Sequence, residues 1–371
     1  MKYLVLIPDG MADRKMRELG GRTPMEAAAK PMMDELCRKA ECGTVLNVPI
    51  GMVPESDTAN LAIMSYDPKV YSKGRSPLEA MSMGIDLGEG DVAIRCNLVT
   101  LSEEEDRYED RRILDHSADE ISTEEADELV KALNEALPMD GRHLYTGVSY
   151  RHCLIWHGGT TDLAPLTPPH DITGRVVRDD ILGQAIGDKL PRTDDGGAQF
   201  LEFMKKSYDI LENHPVNINR RERGLKPANS AWLWSPGTKP ALPSFTEKWG
   251  IKASVISAVD LIKGIGLCAG MDVISVDGAT GNYKTNYAGK AEAAKKAFGD
   301  GSDFVYVHVE APDECGHRGE IENKVYSIEK ISEEILRPVY GYLRKRGEDF
   351  KIMVLPDHPT PLEIRTHSSE P

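Results

Sequence analysis

The N-terminal stretch MKYLVLIPDG, residues 1–10, decides how the rest of the chain is read. Tyr3 to Ile7 is a continuous apolar run closed by Pro8, Asp9 and Gly10, which predicts a short strand buried on both faces of a parallel sheet. The design recurs twice near the other end of the chain. FVYVHV (304–309) runs into Glu310-Ala311-Pro312-Asp313, and IMVL (352–355) runs into Pro356-Asp357-His358, so each of three strands leads into a carboxylate.

Helical patterns separate these strands. GKAEAAKKAF (289–298) is one, and ENKVYSIEKISEEILRPVYGYLRKR (322–346) is another, with Val325, Ile328, Ile331 and Leu336 near a 3.6-residue period. Alternating strands and helices predict an α/β domain with a central, mostly parallel sheet. Ligands of such sheets sit beyond the carboxyl ends of the strands, where Asp9, Asp313 and Asp357 fall. The middle of the chain reads differently. VAIRCNLVTL (92–101), an acidic tip SEEEDRYEDRR (102–112), a helix over 122–137 and RHCLIWHG (151–158) predict a separate α+β unit whose charged tip is a solvated hairpin. SPGTKPALPS (235–244) reads as a linker. The expected division is therefore a discontinuous domain of residues 1–74 and 244–371, interrupted by an inserted domain of residues 75–243.

Composition narrows the function. With 45 basic and 60 acidic residues the net charge is 45 − 60 = −15, which repels phosphate backbones and anionic lipid headgroups, so no nucleic-acid or membrane partner is expected. No apolar run approaches the roughly 18 residues of a membrane span. The six cysteines form no CxxC pair, against a zinc finger or disulfide scaffold and in favour of reduced thiols in the cytoplasm.

Three carboxylates converging at strand ends repel one another unless a cation lies between them. Asp313 and His317 are four residues apart, a spacing that aims both at one point across a helical turn, and His358 and His367 add two further imidazoles. Three carboxylates and three imidazoles exceed the needs of one tetrahedral ion and predict two divalent metals, about 3.5 to 4 Å apart in sites of this kind. Mixed nitrogen and oxygen donors favour Mn or Zn, with Mg as a third option. Taken singly, each residue has a bland alternative: Asp9 and Asp357 as turn residues, His317 as a surface side chain and His367 as a loop residue.

Ser56 lies in GMVPESDTANLAIMSYDP (51–68), at the start of an apolar helical run. It can be a helix N-cap, worth about 1 kcal/mol, or a nucleophile whose proton a neighbouring dication would remove. Local sequence does not choose between them, and Asp57 is an equal candidate for the cap.

PDG, PESDTAN, GRSPLEA, RCNLVT, GATG, VHVEAPDECGH and PDHPTP followed by RTHS together resemble the archaeal type of 2,3-bisphosphoglycerate-independent phosphoglycerate mutase, within the alkaline phosphatase superfamily. The resemblance covers nearly the whole chain. It implies an alkaline phosphatase-like domain interrupted by an inserted domain, and a phosphoserine formed at Ser56 during interconversion of 3-phosphoglycerate and 2-phosphoglycerate. It also implies one metal held by Asp313, His317 and His367, and another held by Asp9, Ser56, Asp357 and His358. Arg75, Arg95, Arg151, His152 and Lys263 become candidates for binding the phosphate and carboxylate of the substrate, a task that suits arginine. Two departures bear on the substrate. LDHSADEIS (114–122) stands where mutases carry an Ala-Gly-Arg sequence, and PANSAWLWSPG (227–237) is similar to an offshoot proposed to act as a homoserine kinase. The alternative is thus a homoserine kinase-like phosphotransferase or a phosphatase of the same superfamily. The family also continues past the RTHS motif into a final strand, so a truncation after Pro371 is expected.

Overall fold

The fold is described from a computed structural model that covers residues 1–137, 141–161, 168–174, 176–177 and 196–370. The chain divides into two compact units, Met1–Ser72 with Pro240–Pro371, and Lys73–Lys239. The described strands in chain order are β1 (Lys2–Pro8), β2 (Val92–Leu101), β3 (Ile113–Asp115), β4 (Arg142–Tyr145), β5 (Arg151–Trp156), β6 (Ser230–Thr238), β7 (Ala253–Ile256), β8 (Asp272–Ile274), β9 (Phe304–Val309) and β10 (Phe350–Val354).

In the first unit the strands form one parallel sheet in the order β10-β1-β9-β7-β8. Leu4 lies opposite both Ile352 and Val305, so the three apolar runs singled out in the sequence are immediate neighbours. Because they are parallel and adjacent, the turns after all three open at the same edge. Helices cover the sheet. Ala291, Ala294 and Phe298 of the Tyr287–Gly299 helix join Ile331, Ile335, Leu336 and Val339 in packing against Leu4, Leu6, Val305 and Val307. Each fully buried aliphatic side chain of this kind contributes about 1.5 to 3 kcal/mol.

The helical pattern over 322–346 is continuous but not uniform. Ile321–Lys330 and Arg337–Arg346 are α-helical, with a π-helical stretch at Ile331–Leu336 between them. Pro338 explains the irregularity, since its ring nitrogen cannot donate to the preceding turn and the wider π turn relieves the clash.

The second unit is built on an antiparallel sheet. β2 pairs with β3, β5 and β6, and β4 pairs with β5. The Thr123–Ala136 helix is capped by Ser122, whose Oγ accepts from the Glu125 N–H, and it buries the stripe Ala126, Leu129, Val130 and Leu133. Phe200, Met204, Tyr208 and Leu211 of the Gly196–Leu211 helix face the same core.

Two expectations are corrected here. Ser235–Thr238 is not linker, because β6 continues through it and pairs Gly237 with Ala93 and Thr238 with Val92. Gly237 permits this, since a Cβ there would lie 2.2 Å from the Lys73 carbonyl oxygen. The acidic tip is only partly solvated: Tyr108 and Arg111 are buried, and the Arg111 guanidinium sits 4.0 Å over the Tyr208 ring. Among the described residues, no helix is long and apolar enough to cross a membrane.

Candidate active site

The PDG turn after β1 brings backbone and carboxylates into close packing. Gly10 has φ +61°, and a Cβ at this position would lie 2.7 Å from the Asp313 Cα and 2.6 Å from the Thr360 Oγ1, so only glycine fits. The Gly10 N–H donates to Asp357 Oδ1 at 3.3 Å, and the His358 N–H donates to the same oxygen at 3.0 Å. The Asn47 amide donates to the carbonyls of Pro356 and Asp357, at 3.0 and 2.9 Å, and holds that turn from the other side. Asp9, Asp313 and Asp357 are all buried.

Asp313 and His317 lie on the Ala311–Arg318 helix with His317 Nε2 3.3 Å from Asp313 Oδ2, as their spacing predicts. His367 Nε2 is 3.4 Å from Asp313 Oδ1 and 3.0 Å from His317 Nε2. The opposite ring nitrogens face backbone carbonyls. His317 Nδ1 is 3.0 Å from the Arg365 carbonyl and His367 Nδ1 is 2.8 Å from the Pro54 carbonyl, contacts that require N–H at Nδ1 and turn the Nε2 lone pairs inward. This is the tautomer of a metal-binding imidazole. Thr360 Oγ1 donates to Asp313 and fixes the carboxylate in turn.

Ser56 is not the helix cap. The Ser56–Ile63 helix has Glu55 at its N-cap with no side-chain capping bond to the helix, Asp57 accepts from the Ser72 hydroxyl, and Ser56 Oγ instead lies 3.2 Å from His358 Nε2. That same Nε2 is 3.7 Å from Asp9 Oδ1 and 3.6 Å from Asp357 Oδ2. All seven residues read as metal-binding or catalytic from the sequence, Asp9, Ser56, Asp313, His317, Asp357, His358 and His367, thus fall in one linked cluster.

Two sets of donors, Asp313 with His358 and His367, and Asp9 with His308 and Asp357, each gather their ligand atoms within 4.8 Å of one another. His308 escaped the sequence reading. Its signal was a single imidazole inside the otherwise apolar FVYVHV strand. Its Nε2 lies 3.0 Å from Asp9 Oδ2, and both Nε2 and Asp9 Oδ1 are buried without a hydrogen-bond partner among the described residues. Burial, and then the charges of Asp357 and Asp313, push Asp9 well above the usual carboxylate range. Burial lowers His308 to about 4 and lowers His358 as well, which keeps both imidazoles in the neutral, ligating form. Orphaned donors, inward lone pairs and crowded carboxylates are the chemistry of a divalent-cation site.

The substrate-binding candidates divide between the units. Lys263 belongs to the first, where its Nζ is 3.3 Å from Asp260 Oδ1. Arg75, Arg95, Arg151 and His152 belong to the second. Arg95 pairs with Glu79 at 2.9 Å and lies 4.0 Å over the Trp234 ring. Its pKa is lowered by burial, opposed by Glu79, and lowered further by the charges of Arg75 and Arg151, so three guanidiniums share one neighbourhood. Such a concentration of cations suits an anion.

His152 accepts from the Gly147 N–H at Nδ1, 3.2 Å away, and burial lowers it from 6.5 to about 4. Below pH 6.5 the unfolded chain takes up a proton that the folded chain refuses until about pH 4, so stability falls as pH drops through that window, by about 3 kcal/mol in all. His152→Asn keeps an acceptor for Gly147 and removes the titration. Urea unfolding of this variant is expected to lose less stability than the parent between pH 6.5 and pH 4; equal losses refute the assignment.

Comparison with known proteins gives the family. The family model of 2,3-bisphosphoglycerate-independent phosphoglycerate mutase matches residues 37–217. The 2,3-bisphosphoglycerate-independent phosphoglycerate mutase of Methanothrix thermoacetophila is 48% identical over 371 residues, covering 100% of this chain and 89% of that protein. This chain belongs to that family. A probable mutase of the same description from Geobacter sulfurreducens is 46% identical, again over 100% of this chain and 89% of its own length. Among solved structures, the cofactor-independent phosphoglycerate mutase of Thermoplasma acidophilum is similar with a TM-score of 0.60 and 29% identity, over 95% of this chain and 86% of that one. A Pyrococcus horikoshii protein reaches a TM-score of 0.77 at 31% identity, over 100% of this chain and 85% of the other. The resemblance read from the motifs is thus borne out at the level of the phosphoglycerate mutase family.

Proposed function

We propose that the chain interconverts 3-phosphoglycerate and 2-phosphoglycerate by phosphoryl transfer through Ser56. The observation that carries this reading is the placement of Ser56 Oγ, 3.2 Å from His358 Nε2 and joined through it to the carboxylate and imidazole cluster, in a chain that is 48% identical to a named mutase. Two divalent cations, Mn, Zn or Mg, would be held by Asp9, Ser56, Asp357 and His358, with His308 beside Asp9 and Asp357, on one side and by Asp313, His317 and His367 on the other. When bound they would lower the pKa of the Ser56 hydroxyl and neutralise the phosphoryl oxygens.

The rest falls to the protein. Ser56 opens a helix that has no side-chain capping bond at its N-terminus, so the first N–H groups of that helix face the place a phosphoryl group would take. In the first half-reaction a bond forms from Ser56 Oγ to phosphorus as the bond to the glycerate 3-oxygen breaks. In the second, the 2-oxygen attacks the phosphoserine and Ser56 Oγ leaves. Each half consumes one hydroxyl and regenerates another, so protons balance over the cycle. Arg75, Arg95 and Arg151 supply cations for the phosphate and carboxylate, with His152 and Lys263 as further contacts. The finer architecture belongs to this proposal too: an alkaline phosphatase-like domain of residues 1–74 and 244–371 with an inserted substrate-binding domain of residues 75–243. A cytoplasmic setting belongs to this proposal too, in keeping with cysteines that no disulfide joins among the described residues.

Phosphorus NMR of the Mn(II)-loaded protein with 3-phosphoglycerate is expected to show 2-phosphoglycerate accumulating to equilibrium. Its absence with Mn(II), Zn(II) and Mg(II) alike sinks the reading, and product formed only from homoserine and ATP would favour the kinase-like alternative.

A further inference from the structure

Asn60 lies on the Ser56–Ile63 helix, one turn beyond Ser56, and is fully excluded from solvent. Asparagine is a weak helix former, and burying its amide costs free energy unless every donor and acceptor is matched. Here all are. Asn60 Nδ2 donates one hydrogen to the Ser56 carbonyl and the other to Asp357 Oδ2, both at 2.8 Å, while Oδ1 accepts from the Tyr306 hydroxyl. The amide cannot be reversed, because its oxygen would then face a carbonyl and a carboxylate. That orientation also obliges the Tyr306 O–H to donate. Tyr306 is itself fully buried in the middle of β9, two residues before His308. Asp357 Oδ1 already receives two backbone N–H groups, so the Asn60 amide completes the restraint of that carboxylate on its second oxygen.

We propose that Asn60 and Tyr306 are positioning residues for phosphoryl transfer: the Tyr306 hydroxyl fixes the Asn60 amide, which locks the Ser56 helix start to the Asp357 carboxylate. The inference rests on the function proposed above. Neither side chain contacts the reacting oxygen. They act by holding the nucleophile and a cation-binding carboxylate in one geometry, and outer partners of this kind alter metal affinity or activity about 10- to 100-fold.

Tyr306→Phe deletes one hydroxyl from an otherwise unchanged ring and gives the sharper test, because Asn60→Ala also opens a buried gap. Mn(II) binding by calorimetry and steady-state kinetics on 3-phosphoglycerate are to be measured for the parent, Tyr306→Phe, Asn60→Ala and the double variant, at a temperature where circular dichroism shows each folded. The expected result for Tyr306→Phe is Mn(II) affinity at one site weakened about 10-fold or more and kcat lowered about 10- to 100-fold, with KM unchanged. The double variant should lose no more than Asn60→Ala alone, since the hydroxyl acts only through the amide. A purely structural pair would lower melting and leave Mn(II) affinity and kcat unaltered; that result, or losses that multiply in the double variant, overturns the proposal. A parent that neither binds Mn(II) nor forms 2-phosphoglycerate overturns the functional reading and this one with it, whereas an active parent beside an unchanged Tyr306→Phe overturns this one alone.

Discussion

Ser56→Ala is expected to remove mutase turnover by on the order of 10⁴- to 10⁶-fold, the range seen when members of a covalent catalytic unit are deleted. Its effect on stability should be small. Had Ser56 been a helix cap, loss of its hydroxyl would cost about 0.5 to 2 kcal/mol. The hydroxyl instead faces His358 and takes no part in capping, and alanine is the better helix former, so unfolding free energy should stay within about 0.5 kcal/mol of the parent. The two measurements answer the question that the local sequence left open. Activity lost at unchanged stability identifies the nucleophile; turnover retained in Ser56→Ala removes the phosphoserine from the mechanism, and a stability loss above about 1 kcal/mol with activity retained restores the cap.

Asp9, Asp313 and Asp357 were legible because a parallel strand and its terminal turn are local features: a short apolar run ended by proline and a carboxylate can be seen without knowing its neighbours. The pairing of β1 with both β9 and β10 then did the convergence, and it follows from burial of all three runs in one sheet. His308 was hidden for the opposite reason. Its position inside a strand reads as core, and only the register that sets Ile7 against His308 brings its ring to Asp9. Asn60 and Tyr306 were equally silent, since an asparagine in a helix and a tyrosine in a strand are ordinary until their polar atoms meet 246 residues apart in sequence. The linker reading of 235–244 failed over Ser235–Thr238, though the units do divide at Lys239 and Pro240, because proline and glycine punctuate sequence without specifying whether a partner strand is present. Here β2 is long enough to pair with Gly237 and Thr238 beyond a register shift that leaves Ser235 and Pro236 without a partner position in the ladder.

Stripping metal with EDTA is expected to lower the melting temperature by several degrees, and Mn(II) should restore it in a concentration-dependent way. The expected gain is about 2.7 kcal/mol at a free metal concentration of 100 times Kd and about 4.1 kcal/mol at 1,000 times Kd. The physical source is the packing of Asp9, Asp313 and Asp357 out of water around shared space. Asp9 is the group most displaced, held well above the usual carboxylate range by burial and then by the charges of Asp357 and Asp313. This makes Asp9→Asn informative, because it separates loss of repulsion from loss of ligation. The amide keeps the shape of the side chain, can donate to Asp357, and carries no charge, so in EDTA the variant should melt above the parent at neutral pH. With Mn(II) added the order should reverse, since the parent gains a cation that the variant holds poorly. A variant that melts below the parent in EDTA would show that the buried carboxylates do not repel one another as their placement requires. A parent whose melting is insensitive to chelation, under conditions shown by elemental analysis to strip the metal, would remove the cation from the account of stability. The crossing of the two melting curves is the signature that ties the carboxylate cluster to a divalent ion, independently of any turnover.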